Sequence, residues 1–380
     1  MPMLERPSSK AGWTRVRFDQ IATQINDRVD NPAEAGVERY VGLEHLDPDS
    51  LRIRRWGEPT DVESTKLRFQ PGDIIFGKRR VYQRKVAVAD FEGICSAHAM
   101  VLRAKPGEVL PDFLPFFMQS DLFMERALSI SVGSLSPTIN WKALAAEEFL
   151  LPPIQEQARL VELLTGLDLC RSNYAACIDA IHTMKRAAVR DEFALRKAHA
   201  HQRIGEKAFT LTDLCRIRTG KLDSNAAVEG GRYPYFTCDP VPKTINDYAF
   251  DCEAILLPGN NAQGIFWVKT YHGRFNAYQR TYVIEVISEL ARLDYIAQFL
   301  EDQLANLRNL SVGSTTKYLT MDLFSKLSLV IPPVEQQDRF LSIIKSLDRE
   351  LVTTGDRLSK VGTLGKWALA SLGSEGCENV

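Results

Sequence analysis

The sequence of 380 residues lacks several features that mark membrane or secreted proteins. No apolar run approaches the 18 residues that a membrane-spanning helix needs, so a membrane span is excluded. The first ten residues contain no apolar signal segment, which argues against secretion. The seven cysteines are scattered and form no Cys-x-x-Cys pair, which indicates reduced thiols. We therefore expect a cytoplasmic protein that has no membrane partner.

Motifs for catalysis and cofactor binding are also missing. There is no Gly-x-Gly-x-x-Gly, no Walker A, no Gly-x-Ser-x-Gly and no His-Glu-x-x-His sequence. Amino-methyltransferases grip their target amine with an Asn/Asp-Pro-Pro-aromatic loop. Both Pro-Pro pairs of this chain, Pro152-Pro153 and Pro332-Pro333, are flanked by apolar residues that cannot hold an amine. The sequence therefore predicts no catalytic residue, no metal site and no cofactor bound by this chain.

An excess of positive charge is absent from the whole chain but present locally. The formal net charge is -1, so bulk charge gives no argument for nucleic-acid binding. Residues 72–105, however, carry seven Lys or Arg against three acidic residues, a local charge of +4. Residues 77–85 include five of these cations, a tyrosine and a glutamine. Such side chains can neutralise phosphates and bond to guanine and adenine edges, although a solvated charged loop is the alternative.

The most informative positive feature is an internal repeat. Residues 131–168 return as residues 311–348, displaced by 180 positions without an insertion. Both copies contain Ser-Val-Gly-Ser, and Leu-Pro-Pro-Ile-Gln-Glu-Gln in the first corresponds to Ile-Pro-Pro-Val-Glu-Gln-Gln in the second. A period of about one domain excludes a solenoid and indicates two similar modules. Such a protein is expected to face a target with two similar parts.

Each module is predicted to mix strands and helices in an α+β fold. Gly- and Pro-bounded apolar runs indicate strands, and Arg280–Ile284 alternates as a half-buried strand would. The other predicted strands lie within Asp73–Phe76, Ala99–Leu102 and Ala254–Leu257.

Each Pro-Pro pair is followed by apolar residues at three- and four-residue spacing, which predicts a long helix. Proline suits the first helical turn, and an acidic residue there suits the helix dipole. Helices of roughly 40–45 residues would be about 60–65 Å long. We expect them to occupy 154–203 and 334–380, and to pair as an antiparallel coiled coil separating modules 1–153 and 204–333.

Together these features resemble the specificity subunit of type I restriction-modification enzymes over nearly the whole chain. The strongest match is that family's Pro-Pro-x-x-Glu-Gln helix start, found at Leu151–Arg159 and, with Glu and Gln exchanged between the copies, at Ile331–Arg339. Further segments are similar to the family's target-recognition domains: Tyr40–Leu46, Gly72–Arg80, Tyr233–Phe236 and Phe275–Val283. Within the chain, Trp13–Thr23 is similar to Phe209–Thr219.

The resemblance implies a non-catalytic subunit that binds double-stranded DNA with a bipartite sequence, one half-site for each module. It also implies docking of two methyltransferase subunits and, in restriction complexes, of restriction subunits. S-adenosylmethionine, ATP and Mg²⁺ are then expected on these partners. The predicted DNA contacts are Lys78, Arg79, Arg80, Tyr82, Gln83, Arg84, Lys85, Asn276, Tyr278, Gln279, Arg280, Thr315, Thr316 and Lys317. The predicted partner contacts are Pro153, Gln157, Arg159, Pro333, Gln337 and Arg339.

Three other interpretations compete with this one. A recognition domain fused to its own nuclease or methyltransferase would need several hundred more residues and an Asn-Pro-Pro-aromatic motif. A scaffold that does not bind DNA would use the repeat only to build a symmetric framework. The third is the specificity module of a related multi-subunit methyltransferase that has no nuclease.

Overall fold

A computed structural model of the chain describes residues 10, 12–199, 207–262 and 264–372. The predicted boundary near residue 203 and most of the N-terminal segment considered above lie outside the described residues. The first module contains these elements: β1 (Thr14–Arg17), α1 (Phe18–Ile21), β2 (Ala22–Ile25), β3 (Arg28–Val29), β4 (Tyr40–Val41), β5 (Lys66–Phe69), β6 (Ile74–Phe76), β7 (Val86–Val88), β8 (Gly93–Ser96), β9 (Met100–Ala104), α2 (Phe113–Gln119), α3 (Asp121–Ser129), α4 (Trp141–Ala146) and β10 (Glu148–Leu151).

Two four-stranded sheets form the body of the first module, in the orders β2-β9-β6-β7 and β3-β5-β8-β4. The turn at Pro71-Gly72 separates β5 from β6, and the positive φ of 88° at Gly72 is one that glycine adopts without strain. Helices α2 and α3 cover the first sheet with phenylalanines 113, 117 and 123, which are fully buried beside Phe76. The predicted mixture of sheet and helix is confirmed.

The second module contains these elements: β11 (Lys207–Thr210), α6 (Leu211–Leu214), β12 (Cys215–Thr219), β13 (Tyr233–Phe236), β14 (Lys243–Ile245), β15 (Phe250–Pro258), β16 (Asn260–Asn261), β17 (Lys269–Ala277), β18 (Thr281–Val286), α7 (Leu293–Leu310), β19 (Lys317–Tyr318), α8 (Met321–Lys326) and β20 (Ser328–Ile331). Six of these strands form one larger sheet, in the order β12-β18-β15-β17-β13-β14.

Strand β18 corrects the prediction of a half-buried strand. Residues 281–284 are all buried, because β18 lies between β12 and β15 and both of its faces are covered. Tyr282 and Ile284 pack in the cluster that includes α7, whereas Val283 packs in a second cluster with Phe250 and Phe275. Thr281, a polar residue of the alternation, is itself only 1% exposed.

The repeat extends to the start of each module, but in a different register from the one predicted. Strand β1 pairs antiparallel with β10, and β11 pairs in the same way with β20. The backbone N–H of Phe18 donates to Glu147, as that of Leu211 does to Leu327, so Phe18 corresponds to Leu211. The matching segments are therefore offset by 193 positions, and the predicted alignment of Trp13 with Phe209 is displaced by three residues.

Two long helices follow the Pro-Pro pairs, as predicted. Helix α5 (Ile154–His199) has 46 residues and α9 (Val334–Ala370) has 37. At 1.5 Å per residue these correspond to lengths of about 69 Å and about 55 Å. Helix α9 continues through Gly355, Gly362 and Gly365, so the glycines do not end it.

The tertiary packing divides the chain into two compact units at the middle of both long helices. The first unit extends to Ala175 and resumes at Asp356, and the second is Ala176–Gly355. Each unit therefore holds one module and half of each helix, a division different from the four segments expected from the sequence.

Within each unit the two half-helices run antiparallel. In the second unit, Lys185 of α5 pairs with Asp348 of α9 at 2.5 Å, and Arg196 further along α5 contacts Gln336, earlier in α9, at 3.3 Å. In the first unit, Val161 and Leu369 pack on the same core cluster. This is the pairing expected of an antiparallel coiled coil.

Candidate nucleic-acid interface

Three segments meet at one end of the first module. The carbonyl of Lys78 accepts from the backbone N–H of Ile139 at 3.0 Å, and the N–H of Arg80 donates to Pro137 at 2.8 Å. The N–H of Arg79 donates to the carbonyl of His98 at 3.3 Å. We call residues 78–80, 97–98 and 136–139 the first loop cluster. Backbone bonds therefore hold the cationic segment against the residues that follow the repeated Ser-Val-Gly-Ser sequence.

The exposed side chains of this region are those that DNA could reach. Arg80 is exposed, and its one side-chain hydrogen bond among the described residues is a long one from Nε to Ser136 Oγ, 3.4 Å. Tyr82 is 56% exposed. Lys78 and Arg79 are half-buried, and burial lowers the pKa of Lys78 from its ordinary value. Arg80 is thus the cation with the freest side chain.

His98 belongs to the same cluster, although no motif in the sequence marks it. Burial, followed by the charges of Arg79, Lys78 and Lys66, lowers the pKa of His98 from its ordinary value. The imidazole is therefore uncharged at neutral pH, and its Nε2 can accept from Arg79 Nη1 at 3.2 Å. This bond orients Arg79 without neutralising its charge.

Arg84 and Lys85 do not share this exposure. Arg84 bonds to Asp49 at 2.8 Å, to Asp121 at 2.9 Å and to the carbonyl of Gln119 at 2.5 Å. Lys85 donates to the carbonyl of Leu43 at 2.6 Å. These bonds within the module leave both cations less available to DNA than Arg80, and their DNA contacts stay a prediction. Gln83 is half-buried, and its backbone N–H donates to the Arg80 carbonyl.

The second module has an equivalent arrangement. The N–H of Leu319 donates to the carbonyl of Gly259 at 2.8 Å, and the N–H of Gly259 donates to the carbonyl of Arg280 at 2.6 Å. Asn261 pairs with Lys317 through the short strands β16 and β19. We call residues 259–261, 279–280 and 316–319 the second loop cluster. It borders a cleft of about 530 Å³.

The predicted residues of the second module differ in accessibility. Gln279 and Arg280 are exposed, Tyr278 is half-buried, and the Arg280 guanidinium lies 5.3 Å from the Tyr318 ring centre. Thr315 is exposed, whereas Thr316 and Lys317 are half-buried.

Asn276 is only 5% exposed, and its amide bonds to the backbone of Asp247 and Ala277. Asn276 therefore holds the fold together, and the structure removes it from the predicted DNA contacts.

The two loop clusters correspond residue by residue. Ile139 and Leu319 are 180 positions apart and bond to Lys78 and Gly259, so these two residues are equivalent. The strand register pairs Phe76 with Met100 and Leu257 with Tyr282, and counting along the chain from these residues gives the remaining equivalences. One contact differs between the clusters: Arg79 bonds to the His98 carbonyl, whereas Gly259, the counterpart of Lys78, bonds to that of Arg280. The equivalent pairs are Lys78 and Gly259, Arg79 and Asn260, Arg80 and Asn261, Ala97 and Gln279, His98 and Arg280, and Thr138 and Tyr318.

Sequence reasoning thus missed Asn260 and Asn261 as counterparts of the cationic segment. The signal that could have found them is the similarity of Ile74-Ile75-Phe76-Gly77 to Ile255-Leu256-Leu257-Pro258, each directly before the segment.

The predicted partner contacts divide into exposed and buried residues. Pro153, Arg159, Pro333 and Arg339 are exposed at the starts of the two helices. Gln157 and Gln337, in contrast, are fully buried. Burial removes both glutamines from the predicted docking surface.

The amides of the two glutamines bond entirely within the chain. Gln157 Nε2 donates to Glu108 and Pro152, and its Oε1 accepts from the N–H of Leu110, all at 2.9 Å. The amide of Gln337 makes the equivalent three bonds to Leu290, Pro332 and Arg292. Each glutamine therefore fastens the start of a long helix to its module.

Metal-binding clusters and membrane-spanning helices are both absent from the described residues. These residues contain no group of three or more His, Cys, Asp or Glu side chains that could hold a metal ion. None of their helices is both long and apolar enough to cross a bilayer.

Comparison with known proteins agrees with this architecture. The family model described as "Type I restriction modification DNA specificity domain" matches residues 60–178 and 205–360, more than half of the chain. The protein therefore belongs to the family of type I restriction-modification DNA specificity domains.

A curated relative shows the same likeness. The type I restriction enzyme EcoDI specificity subunit of Escherichia coli is 37% identical over 155 residues, which cover 41% of this chain and 34% of that protein. The alignment thus spans about a third of this relative.

Two solved structures are similar over almost the whole chain. A structure concerned with the assembly and conformational transition of the type I R-M system aligns with a TM-score of 0.62 and 17% identity, covering 95% of this chain and 97% of the other. The type I S subunit from M. genitalium aligns with a TM-score of 0.58 and 16% identity, covering 95% and 96%. At identities of 17% and 16% the similarity shows a shared fold.

Proposed function

We propose that this protein is the DNA-specificity subunit of a type I restriction-modification system. Each module binds one half of a bipartite sequence in double-stranded DNA. The chain docks two methyltransferase subunits and, where the system restricts DNA, restriction subunits. It acts in the cytoplasm and has no catalytic activity of its own; S-adenosylmethionine, ATP and Mg²⁺ bind to the partners.

One observation carries the proposal of a bipartite target. Equivalent backbone bonds, Ile139 to Lys78 and Leu319 to Gly259, build the same loop cluster in each module. The side chains on this shared frame differ, with Arg79 and Arg80 in one cluster and Asn260 and Asn261 in the other. A shared frame with different side chains suits the reading of two different short sequences.

The exposed groups of both clusters have the chemistry that DNA requires. Arg80 and Arg280 can neutralise phosphates or bond to guanine, and Gln279 can bond to adenine. Thr315 adds a hydroxyl donor suited to a phosphate. The repeated, exposed helix starts at Pro153, Arg159, Pro333 and Arg339 offer two similar docking surfaces, which suits two copies of one partner.

Reconstitution with the methyltransferase subunit of the same system tests the proposal. Methylated adenines would be mapped after incubating DNA and S-adenosylmethionine with the chain, the methyltransferase subunit or both. We expect sequence-specific adenine methylation only from the mixture. Methylation or cleavage by the chain alone, or a methylation pattern that does not depend on the chain, would contradict the proposal.

A salt titration separates this function from a scaffold that does not bind DNA. Phosphate contacts make the DNA affinity fall steeply as the salt concentration rises. A scaffold would give no such binding at any salt concentration.

A further inference from the structure

The two loop clusters place their charge on different segments. In the first cluster three cations stand on the segment after strand β6, and the equivalent residues of the second are Gly259, Asn260 and Asn261. In the second cluster the cations are Arg280, whose equivalent in the first is His98, and Lys317, whose equivalent is Pro137. Beside them, Gln279 occupies the position of Ala97. The modules therefore present different hydrogen-bonding groups from equivalent positions.

Gln279 is held in place by its backbone while its side chain stays accessible. Its N–H donates to the carbonyl of Leu222 at 2.9 Å, and the next residue, Arg280, is tied through its carbonyl to Gly259. The Gln279 side chain is exposed beside the cleft and has no hydrogen-bond partner in the part of the chain that the structure describes. Its amide oxygen and nitrogen are both available to a ligand.

The neighbouring side chains are less suited to reading a base. The Oδ1 of Asn260 accepts from the Cys238 thiol at 2.8 Å, and the Oδ1 of Asn261 accepts from the Ile265 N–H at 3.2 Å. The Arg280 guanidinium is placed against the Tyr318 ring. Gln279 is the residue of this cluster whose amide can make two bonds at once.

The chemistry of the amide selects the base. In the major groove adenine presents an acceptor, N7, beside a donor, the N6 amino group, and a carboxamide matches both. Guanine presents two acceptors, N7 and O6, which a guanidinium matches because all of its polar atoms are donors. In the first cluster the exposed guanidinium is that of Arg80, with Ala97 in place of the glutamine.

We propose that Gln279 selects an adenine in the half-site of the second module and that Arg80 selects a guanine in the half-site of the first. The inference rests on the proposed function, because it assumes that the loop clusters face DNA. It assigns one reader and one base to each half-site.

The test measures methylation by the reconstituted complex on DNA duplexes that each change one base pair of the mapped site. Discrimination at a base pair is the ratio of methylation rates on the mapped site and on the changed duplex. Gln279→Ala should lower discrimination at one A·T pair of the second half-site by about 5- to 150-fold, the range for one bidentate contact. Gln279→Glu, which keeps the size but loses the donor, should also lose the adenine preference. Arg80→Ala should relax one G·C pair of the other half-site.

The control is Asn306→Ala, which removes an exposed amide from helix α7 of the same module and should leave discrimination unchanged. Thermal unfolding of each variant confirms that it is folded.

Unchanged discrimination in Gln279→Ala, or relaxation at a pair other than A·T, would overturn the assignment of Gln279. Unchanged discrimination in Arg80→Ala, or relaxation at a pair other than G·C, would overturn that of Arg80. Either result leaves the proposed function standing, because that function is tested separately by the methylation that the wild-type chain directs in the reconstituted complex.

Discussion

Arg80 and Arg84 lie four residues apart on one loop, yet they differ in exposure and in their hydrogen-bond partners. Arg80 is exposed beside Ser136 and Pro137, whereas Arg84 bonds to Asp49, Asp121 and a backbone carbonyl. Both residues have a positive φ, 58° and 54°, so the chain turns sharply at each one. These turns direct the two guanidinium groups to different partners.

This contrast predicts different consequences for the two arginines. Replacing Arg79 and Arg80 with alanine should weaken DNA binding. It should also flatten the slope of log K against log salt concentration, by roughly 0.9 for each phosphate that the variant no longer neutralises. Arg84→Ala should leave the slope unchanged but lower the free energy of unfolding by about 1–3 kcal/mol, because its charged hydrogen bonds no longer form. Binding titrations over salt and chemical unfolding measure the two effects. A flattened slope in Arg84→Ala would show that Arg84 contacts DNA after all.

At the level of the elements, the helix starts combine two functions that the sequence does not separate. The Pro-Pro pair begins the helix, and the glutamine four positions after the second proline turns inward to bond with the module. The arginine two residues beyond that glutamine is exposed. One short motif thus contains both a structural fastening and a candidate docking surface.

Substitutions in the second motif should separate these functions. Gln337→Leu removes the partner of three backbone groups, the N–H of Arg292 and the carbonyls of Leu290 and Pro332. Only the bond to Pro332 is buried, and water can replace the other two, so the loss of stability should be about 1–3 kcal/mol. Arg339→Ala should leave stability within about 0.5 kcal/mol and weaken docking of the methyltransferase subunit. Calorimetry of unfolding and a subunit-binding titration make the comparison. A folded Gln337→Leu variant of normal stability would refute the fastening role.

At the level of the whole molecule, each compact unit combines one module with halves of both long helices. The units divide at Ala175 in α5 and at Gly355 in α9. A change made at both positions therefore lengthens the helical region while preserving the antiparallel pairing inside each unit. This allows a direct test of whether the length of the two helices sets the distance between the half-sites.

Four residues inserted after Ala175 and four after Gly355 add about 6 Å of helix. We expect the mapped spacer between the half-sites to grow by about one or two base pairs, given about 34–36 Å per turn of DNA. Both half-site sequences should stay the same. The control places four residues in the exposed loop at Val241, where the spacer should not change. An unchanged spacer in an active double-insertion variant would show that the helices do not determine the gap.

Much of the architecture was predictable because it follows from local and periodic patterns. The repeat identified two modules, the Pro-Pro pairs marked where α5 and α9 begin, and apolar runs marked strands such as β6 and β15. These features depend on backbone geometry and on the spacing of apolar residues, and neighbouring positions in the chain contain that information.

The accessibility of individual polar side chains was decided only by the tertiary structure. Arg84 and Asn276 were predicted to face DNA, and Gln157 and Gln337 to face a partner, but their bonds lie inside the chain. The partners that hold them are distant in sequence: Asp49 is 35 positions from Arg84, and Glu108 is 49 from Gln157. A buried polar group must find its hydrogen bonds wherever the fold brings them, so its role depends on tertiary neighbours that no local pattern of residues specifies.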